Sequence, residues 1–217
     1  MNPWKLRMAR MAEVLIVCVM LPTCLLGQVS LPNTIAALEI TDPVSMDGHL
    51  DEPAWQEAVK IRNFTQRELN FGEPVTEQTE VALLFDAQNL YVGVWCYDRN
   101  PDQITARELR RDFDYGLEDN FILVLDTYGD ERNGFMFVVN PAGARADLQL
   151  FNNGGSTNAF WNGVWDTRAR VTPQGWFAEI VIPFNTLRYR GGQALQNWGV
   201  NFERNIRRKR EQEIGRS

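Results

Sequence analysis

The sequence has almost no histidine and few cysteines, which removes several kinds of chemistry. Its one histidine is His49, so serine or cysteine triads and histidine-rich zinc sites are hard to build. Gly154-Gly155 is not followed by Lys-Ser, so a glycine-rich phosphate loop is missing as well. Acidic residues are plentiful, and a pair of carboxylates of the kind that glycosidases use stays open. The composition thus leaves an enzyme open, although we expect no catalytic role for this domain.

An apolar segment of membrane-spanning length and an excess of positive charge are also missing. The formal net charge of -6 over 217 residues argues against nucleic acid as the main partner. The apolar run 14–26 follows three basic residues among the first ten and precedes Gly27, a pattern typical of a signal peptide. We predict a signal peptide at residues 1–27 and an exported protein, periplasmic or associated with the outer membrane. Lipid anchoring at Cys24 is the alternative.

An intrachain disulfide is excluded once the signal peptide is removed. Cys18 and Cys24 leave with that segment, and Cys96 then has no partner. The stability of the folded chain must therefore come from its apolar core. Cys96 alternates with Val92 and Val94, so we predict that it is a small buried apolar side chain.

Runs of β-branched and aromatic residues, separated by turns, indicate an all-β chain. The clearest is 118–140, where Phe121–Leu125 and Gly134–Val139 flank a polar turn and predict a long-looped antiparallel hairpin. A second hairpin is predicted from Val81–Phe85 and Leu90–Tyr97. About nine such strands and one short helix around residue 55 predict an antiparallel β-sandwich, of jelly-roll or immunoglobulin-like type.

Aromatic and acidic residues in the loops suggest two kinds of binding site. Trp161 lies beside a Gly/Asn-rich loop, where an exposed ring could stack on the apolar face of a sugar, while Trp165 starts a strand and is predicted to be core. The alternative is that both tryptophans are core residues. Asp126, Asp130 and Glu131 share one turn and could bind calcium, or could be ordinary solvated turn charges. The charged stretch 107–119 is predicted to be a solvated loop or a short helix.

Four motifs occur in the order in which one known family has them. They are Met46–Trp55, Leu90–Val94 with Asp98, Glu118–Phe121 with Asp126, and Gly175–Phe184. Together they resemble the carbohydrate-binding family 9 domain, a β-sandwich that in characterised members grips the ends of sugar chains. The resemblance covers about residues 40–208.

The resemblance implies a non-catalytic carbohydrate-binding module that serves glycan breakdown or uptake, within a protein that acts on glycosyl bonds. The ligand-binding residues that it implies are Tyr115, Asn140, Arg145, Trp161 and Asn162. Sugar-binding members carry an acidic residue on the strand where this sequence has Ile122, and an aromatic residue in the preceding loop, for which Tyr115 is the nearby candidate.

Further motifs resemble a bacterial subgroup of that family. They are Ala106–Arg111, Arg132–Gly134, Asn140–Arg145 and Trp198–Arg208. In the subgroup, the domain precedes a long β-rich region that is thought to be an outer-membrane barrel. The resulting organisation is a signal peptide at 1–27, the sandwich at 38–210, and the truncated start of a following region at 211–217. The alternative functions are a periplasmic structural domain of such a barrel protein, without sugar affinity, and an enzyme domain associated with glycoside hydrolases.

Overall fold

A computed structural model describes residues 4–9, 34–193 and 195–215, the first of these segments as backbone only. Most of the predicted signal peptide, including Cys24 and the predicted cleavage point, lies outside the described residues. No helix among the described residues is long and apolar enough to cross a membrane.

The described residues form thirteen strands and one short α-helix, with four 3-10 turns. The elements are β1 (Trp4–Ala9), β2 (Thr34–Glu39), α1 (Pro53–Glu57), β3 (Phe64–Glu68), β4 (Thr79–Phe85), β5 (Asn89–Tyr97), β6 (Asn120–Asp126), β7 (Gly134–Val139), β8 (Arg145–Phe151), β9 (Ser156–Asn158), β10 (Asp166–Thr172), β11 (Gly175–Pro183), β12 (Leu195–Ile206) and β13 (Glu211–Gly215). Both predicted hairpins are confirmed, as β4–β5 and β6–β7.

The strands form two sheets that pack face to face. Sheet I has the order β10-β11-β5-β4, and sheet II has the order β1-β12-β6-β7-β8-β9, with β13 beside β12 and β3 beside β13. Strand β2 joins the two sheets, because it pairs in parallel with β4 of one and β1 of the other. All the other strand pairs are antiparallel, as the sequence predicts for a β-sandwich.

The main core lies between the sheets and explains the apolar runs. Leu83, Val92 and Ile180 of sheet I meet Phe121 and Phe137 of sheet II, and all five side chains are buried. The predicted burial of Cys96 is confirmed, and burial raises the pKa of its thiol to about 12. The thiol therefore stays protonated and behaves as a small apolar side chain.

The outer face of sheet I is also covered, which is why β5 is apolar at nearly every position. Trp55 of α1 is fully buried against this face and packs edge-on to Trp95, with ring centroids 6.1 Å apart. Gly93 faces the same indole, and a Cβ there would lie 2.8 Å from the Trp55 ring. Glycine at this position is what lets the indole approach the strand.

The sandwich extends beyond both of its predicted boundaries. Residues 211–215 form β13, which pairs with both β12 and β3, and Glu211 and Glu213 on this strand are buried. The predicted boundary at 210 is therefore too early, since these residues belong to the fold. At the other end β2 begins at Thr34, four residues before the predicted start. Strands such as β9 and β13 carry few apolar residues, so hydrophobic pattern alone gives no signal for them.

A buried ionic cluster ties the two sheets together at one end. Arg204 on β12 is buried and donates hydrogen bonds to the Gln78 and Tyr97 carbonyls, at 3.1 and 2.8 Å. Nearby, Asp98 accepts two hydrogen bonds from the Arg208 guanidinium, at 2.6 and 2.7 Å. Charged side chains thus replace apolar packing where β4 and β5 face β12 and β13.

Candidate functional site

The outer face of sheet II carries an apolar strip that a loop partly covers. Ile122, Val138 and Ala146 are buried on this face, and Phe113 and Tyr115 of the loop 105–118 pack onto them. The Phe113 and Tyr115 rings meet edge-on, with centroids 6.5 Å apart. Tyr115 is therefore half-buried in an apolar setting, and burial raises the pKa of its hydroxyl. We call residues 105–118 the arginine loop, after Arg107, Arg110 and Arg111.

Two buried carboxylates hold the arginine loop in place. Glu118 Oε1 accepts hydrogen bonds from the backbone N–H groups of Arg107 and Glu108, at 2.7 and 2.9 Å. Asp119 Oδ2 accepts from Thr105 N at 3.1 Å, and its Oδ1 accepts from Arg207 N at 2.6 Å. Burial raises the pKa of Asp119, and these backbone hydrogen bonds oppose that rise. Both carboxylates serve the conformation of the loop.

Asn140 is a structural brace for the same loop. It is fully buried, and its Nδ2 donates to the Glu108 carbonyl and to Glu118 Oε2, at 2.8 and 2.6 Å. Its Oδ1 accepts from Ala142 N and Ala144 N, at 3.0 and 2.8 Å. Because two donors and two acceptor positions are the full capacity of an amide, a ligand could reach Asn140 only by displacing one of these bonds.

The arginine loop surrounds a cavity of about 530 Å³. This volume lies within the range of about 300–1,000 Å³ that small-ligand sites occupy. The wall combines arginines and carboxylates with apolar side chains, and its members include Arg107, Arg110, Arg111, Phe113, Leu117 and Glu118. Leu117 is largely exposed, so apolar surface reaches the rim of the cavity.

A second loop, residues 159–165, is fixed to the arginine loop through one buried carboxylate. Asp147 of β8 is buried, and its Oδ2 accepts a hydrogen bond from Gly163 N at 2.6 Å. Arg111 Nη2 donates to Asp147 Oδ1 and to the Gly163 carbonyl, the latter at 3.1 Å. The cavity wall and the 159–165 loop are thereby held side by side.

The aromatic residues of the 159–165 loop point in opposite directions. Phe160 is 97% exposed, whereas Trp161 packs on the core, with its ring centroid 4.9 Å from Phe135 and 5.9 Å from Phe137. The exposed ring of this loop is thus Phe160, and the predicted exposure of Trp161 is corrected. The prediction for Trp165 is confirmed, since it is 4% exposed. Glycine at position 163 gives the Trp161 indole room to fold back, because a Cβ there would lie 2.8 Å from it.

The remaining predicted ligand residues differ in what they offer to a ligand. Arg145 is half-buried, pairs with Asp166 at 2.5 Å and lies over the Trp165 ring, 5.7 Å from its centroid. Asn162 is exposed, and its side chain makes no hydrogen bond within 34–193 and 195–215. Of the five predicted ligand residues, Asn162 therefore has the most freely available polar groups. Arg107, Arg110 and Phe160 were missed, because the charged stretch around the two arginines reads as an ordinary solvated loop.

The acidic turn between β6 and β7 is not arranged around a metal. Asp126 Oδ1 accepts from Gly129 N at 2.8 Å, and its Oδ2 accepts from Glu131 N at 2.7 Å. Asp130 accepts hydrogen bonds from Asn133, which hold its pKa below the usual value although partial burial acts to raise it. No group of three histidine, cysteine, aspartate or glutamate residues in the described part of the chain could hold a metal ion. The predicted calcium set Asp126, Asp130 and Glu131 is therefore not assembled.

Comparison with known proteins identifies the fold. No protein-family model and no curated protein matches the sequence. A family 9 carbohydrate-binding module from Caldicellulosiruptor kristjanssonii, in complex with cellotriose, is 16% identical, with a TM-score of 0.53 over 83% of this chain and 82% of that one. A family 9 module from the same organism in complex with glucose is 15% identical, with a TM-score of 0.54 over 83% of each chain.

A third structure belongs to a Bacteroides uniformis protein that is classed provisionally as carbohydrate-binding. It is 10% identical, with a TM-score of 0.62 over 82% of this chain and 87% of that one. At such identities the likeness concerns the backbone. The chain therefore has the fold of family 9 carbohydrate-binding modules, as its four ordered motifs predict.

Proposed function

We propose that this chain is a non-catalytic carbohydrate-binding domain whose ligand occupies the cavity of the arginine loop. The observation that carries the proposal is Phe160, a fully exposed phenyl ring on the loop that Arg111 ties to the cavity wall. A pyranose ring buries its apolar face on an aromatic ring while its hydroxyls hydrogen-bond to polar groups alongside. Asn162 and the arginines of the loop supply such groups.

The structural neighbours support this proposal, because two of them hold cellotriose and glucose. The present chain would bind its sugar with a different set of residues. Ile122, at the position where sugar-binding members carry an acidic residue, is buried under Phe113. The polar contacts must then come from the two loops instead of the sheet.

Isothermal titration calorimetry against a panel of neutral and acidic mono- and oligosaccharides tests the proposal. Phe160→Ala should weaken the binding of any sugar that binds by roughly tenfold, which is the scale of one lost stacking contact. The melting temperature should not change, because the ring makes little contact with the fold. Tyr128→Ala is the matched control: this ring is 39% exposed in the turn between β6 and β7, at the far end of the hairpin from the arginine loop.

The absence of heat with every sugar would contradict the proposal and favour the second candidate. That candidate is a periplasmic structural domain of an outer-membrane barrel protein, without sugar affinity of its own. The observation in its favour is that Asn140 and Tyr115, which the family resemblance assigns to the ligand, are already engaged within the fold.

We further propose that the protein is exported and serves glycan breakdown or uptake, as the signal-like start and the subgroup motifs suggest. Fractionation of expressing cells tests the export. Recovery of the full-length chain in the cytoplasm, with residues 1–27 uncleaved, would contradict it. Growth of a deletion strain on the glycans that bind would test the link to their breakdown.

A further inference from the structure

We propose that the cavity of the arginine loop selects acidic sugars, meaning sugars that carry a carboxylate or a sulfate group. This inference rests on the proposed sugar-binding function and adds the chemical class of the ligand. It follows from which donors and acceptors of the cavity wall are already in use.

The unused groups at the cavity are hydrogen-bond donors. The Arg107 side chain is exposed and forms no hydrogen bond or ion pair with the residues described, so all five of its N–H groups are available. Arg110 is 86% exposed and makes one long contact, 3.5 Å from its Nη2 to Glu108 Oε2. Two arginines of the cavity wall therefore have guanidinium groups with almost no internal partner.

The acceptors of the same wall are fewer than its free donors, and part of them are occupied. Glu118 receives two backbone N–H groups and Asn140 Nδ2, and Asp114 Oδ1 receives Gly116 N at 3.0 Å. The other two acids of the wall, Glu108 and Asp112, each lie next to an arginine of the loop, at 3.5 and 3.9 Å.

This imbalance favours a ligand that accepts hydrogen bonds without donating them. A neutral sugar hydroxyl both donates and accepts, so it gains less from a site whose free groups are mostly donors. A carboxylate or sulfate only accepts, and a guanidinium binds it through two parallel, charge-assisted hydrogen bonds. The Nη2 group of Arg111 is not available for this role, because it is bound to Asp147 and to the Gly163 carbonyl.

The test compares methyl glucuronide with methyl glucoside, which differ in having a carboxylate or a hydroxymethyl group on the ring. We expect the full chain to bind the glucuronide at least about tenfold more tightly, as one charge-assisted contact would give. The preference should shrink as sodium chloride is added, because salt screens exposed charges. In the double variant Arg107→Gln/Arg110→Gln the two affinities should become equal. Arg132→Gln, which removes an exposed arginine from the β6–β7 turn, should keep the preference.

Each outcome decides the proposal. Equal affinities in the unmodified protein would overturn the selectivity while leaving the sugar-binding function intact. If neither glycoside binds and no sugar of the wider panel binds, both the selectivity and the sugar-binding function are contradicted. Acetate and sulfate are titrated alone as a further arm. Binding of either ion as tightly as of the glucuronide would show a site for bare anions and would overturn the proposed recognition of an acidic sugar.

Discussion

Glu213 should make the stability of this fold fall as the pH rises through neutrality. It lies on β13 with its side chain fully buried, and its Oε2 accepts one hydrogen bond, from Thr79 Oγ1 at 2.7 Å. Its Oε1 has no hydrogen-bond partner. Burial raises the pKa of this carboxyl to about 7, although Arg204 and the Thr79 hydrogen bond act to lower it. The folded protein thus holds this proton more tightly than the unfolded chain does.

The sign and size of the effect follow from this difference in pKa. The unfolded chain titrates near 4.5, so the stabilisation is fully present below that pH and is lost as the pH passes about 7. The span corresponds to about 3 kcal/mol in the free energy of unfolding, of which about 2.5 kcal/mol falls between pH 5 and pH 8. Asp98 affects stability in a more acidic pH range. Burial acts to raise its pKa, but hydrogen bonds from Arg208 outweigh burial and hold that pKa below the usual value of 3.8.

Urea unfolding of the unmodified protein and of Glu213→Gln, at intervals from pH 5 to pH 8, measures this effect. Glutamine has the shape of the protonated acid and no titration, so the variant should lack that part of the decline. Asp119 and Glu179 also have raised pKa values, but both proteins contain them and their effect cancels in the difference. Glu57→Gln, an exposed substitution on α1, is the control. Parallel curves for the unmodified protein and Glu213→Gln would refute the reasoning.

Three further results are expected. Trp165→Ala should lower the free energy of unfolding by about 3–5 kcal/mol. Trp161→Ala should lower it by about 2–3 kcal/mol, because the Trp161 ring is only half-buried. A loss below about 1 kcal/mol in Trp161→Ala would contradict the packing of this ring on Phe135 and Phe137. Asp126→Ala leaves four backbone N–H groups of its turn without their acceptor, so stability should fall by about 2 kcal/mol and limited proteolysis should cut there first. Millimolar calcium should leave the melting temperature of the protein unchanged, because the carboxylate oxygens of Asp126 already accept hydrogen bonds from the turn. A calcium-dependent rise in melting temperature that Asp126→Asn abolishes would contradict this expectation.

The sandwich was predictable because its strands bury both faces. The segment Phe121–Leu125 is apolar at every position, and such a segment folds stably only if both sides are covered. The same apolar pattern predicts β4, β5 and β11. It does not predict β13, whose buried Glu211 and Glu213 side chains accept hydrogen bonds from the hydroxyls of Thr76 and Thr79. Hydrophobic pattern cannot indicate a strand that is buried through polar contacts.

The candidate site was predicted less well because exposure in a loop depends on packing with distant residues. Phe160 and Trp161 are adjacent and both aromatic, and the sequence around them does not by itself show which ring turns inward. The contact with Phe135 and Phe137, about 25 residues earlier, decides it. Likewise, Arg107 and Arg110 stand out only once Glu118 and Asn140 are seen to bind the backbone of the loop, while these two arginine side chains have almost no partner.

The family motifs themselves explain why the sequence indicates the fold more clearly than the ligand. Glu179, from the last of the four motifs, is fully buried, and its Oε2 accepts the N–H groups of Asp47 and Gly48, at 3.0 and 2.7 Å, from the first. The pair Asp98–Arg208 closes one end of the sandwich in the same way.

These motif residues are fixed by the packing and hydrogen bonding of the sandwich itself, because exchanging one would leave a buried polar group without its partner. The residues proposed here to meet a sugar, Phe160, Arg107 and Arg110, lie outside those four motifs and support no other part of the fold. A chain can therefore keep all four motifs and still change its ligand. For this reason the proposed sugar binding depends on the arginine loop and the 159–165 loop, and the arginine and Phe160 variants test it most directly.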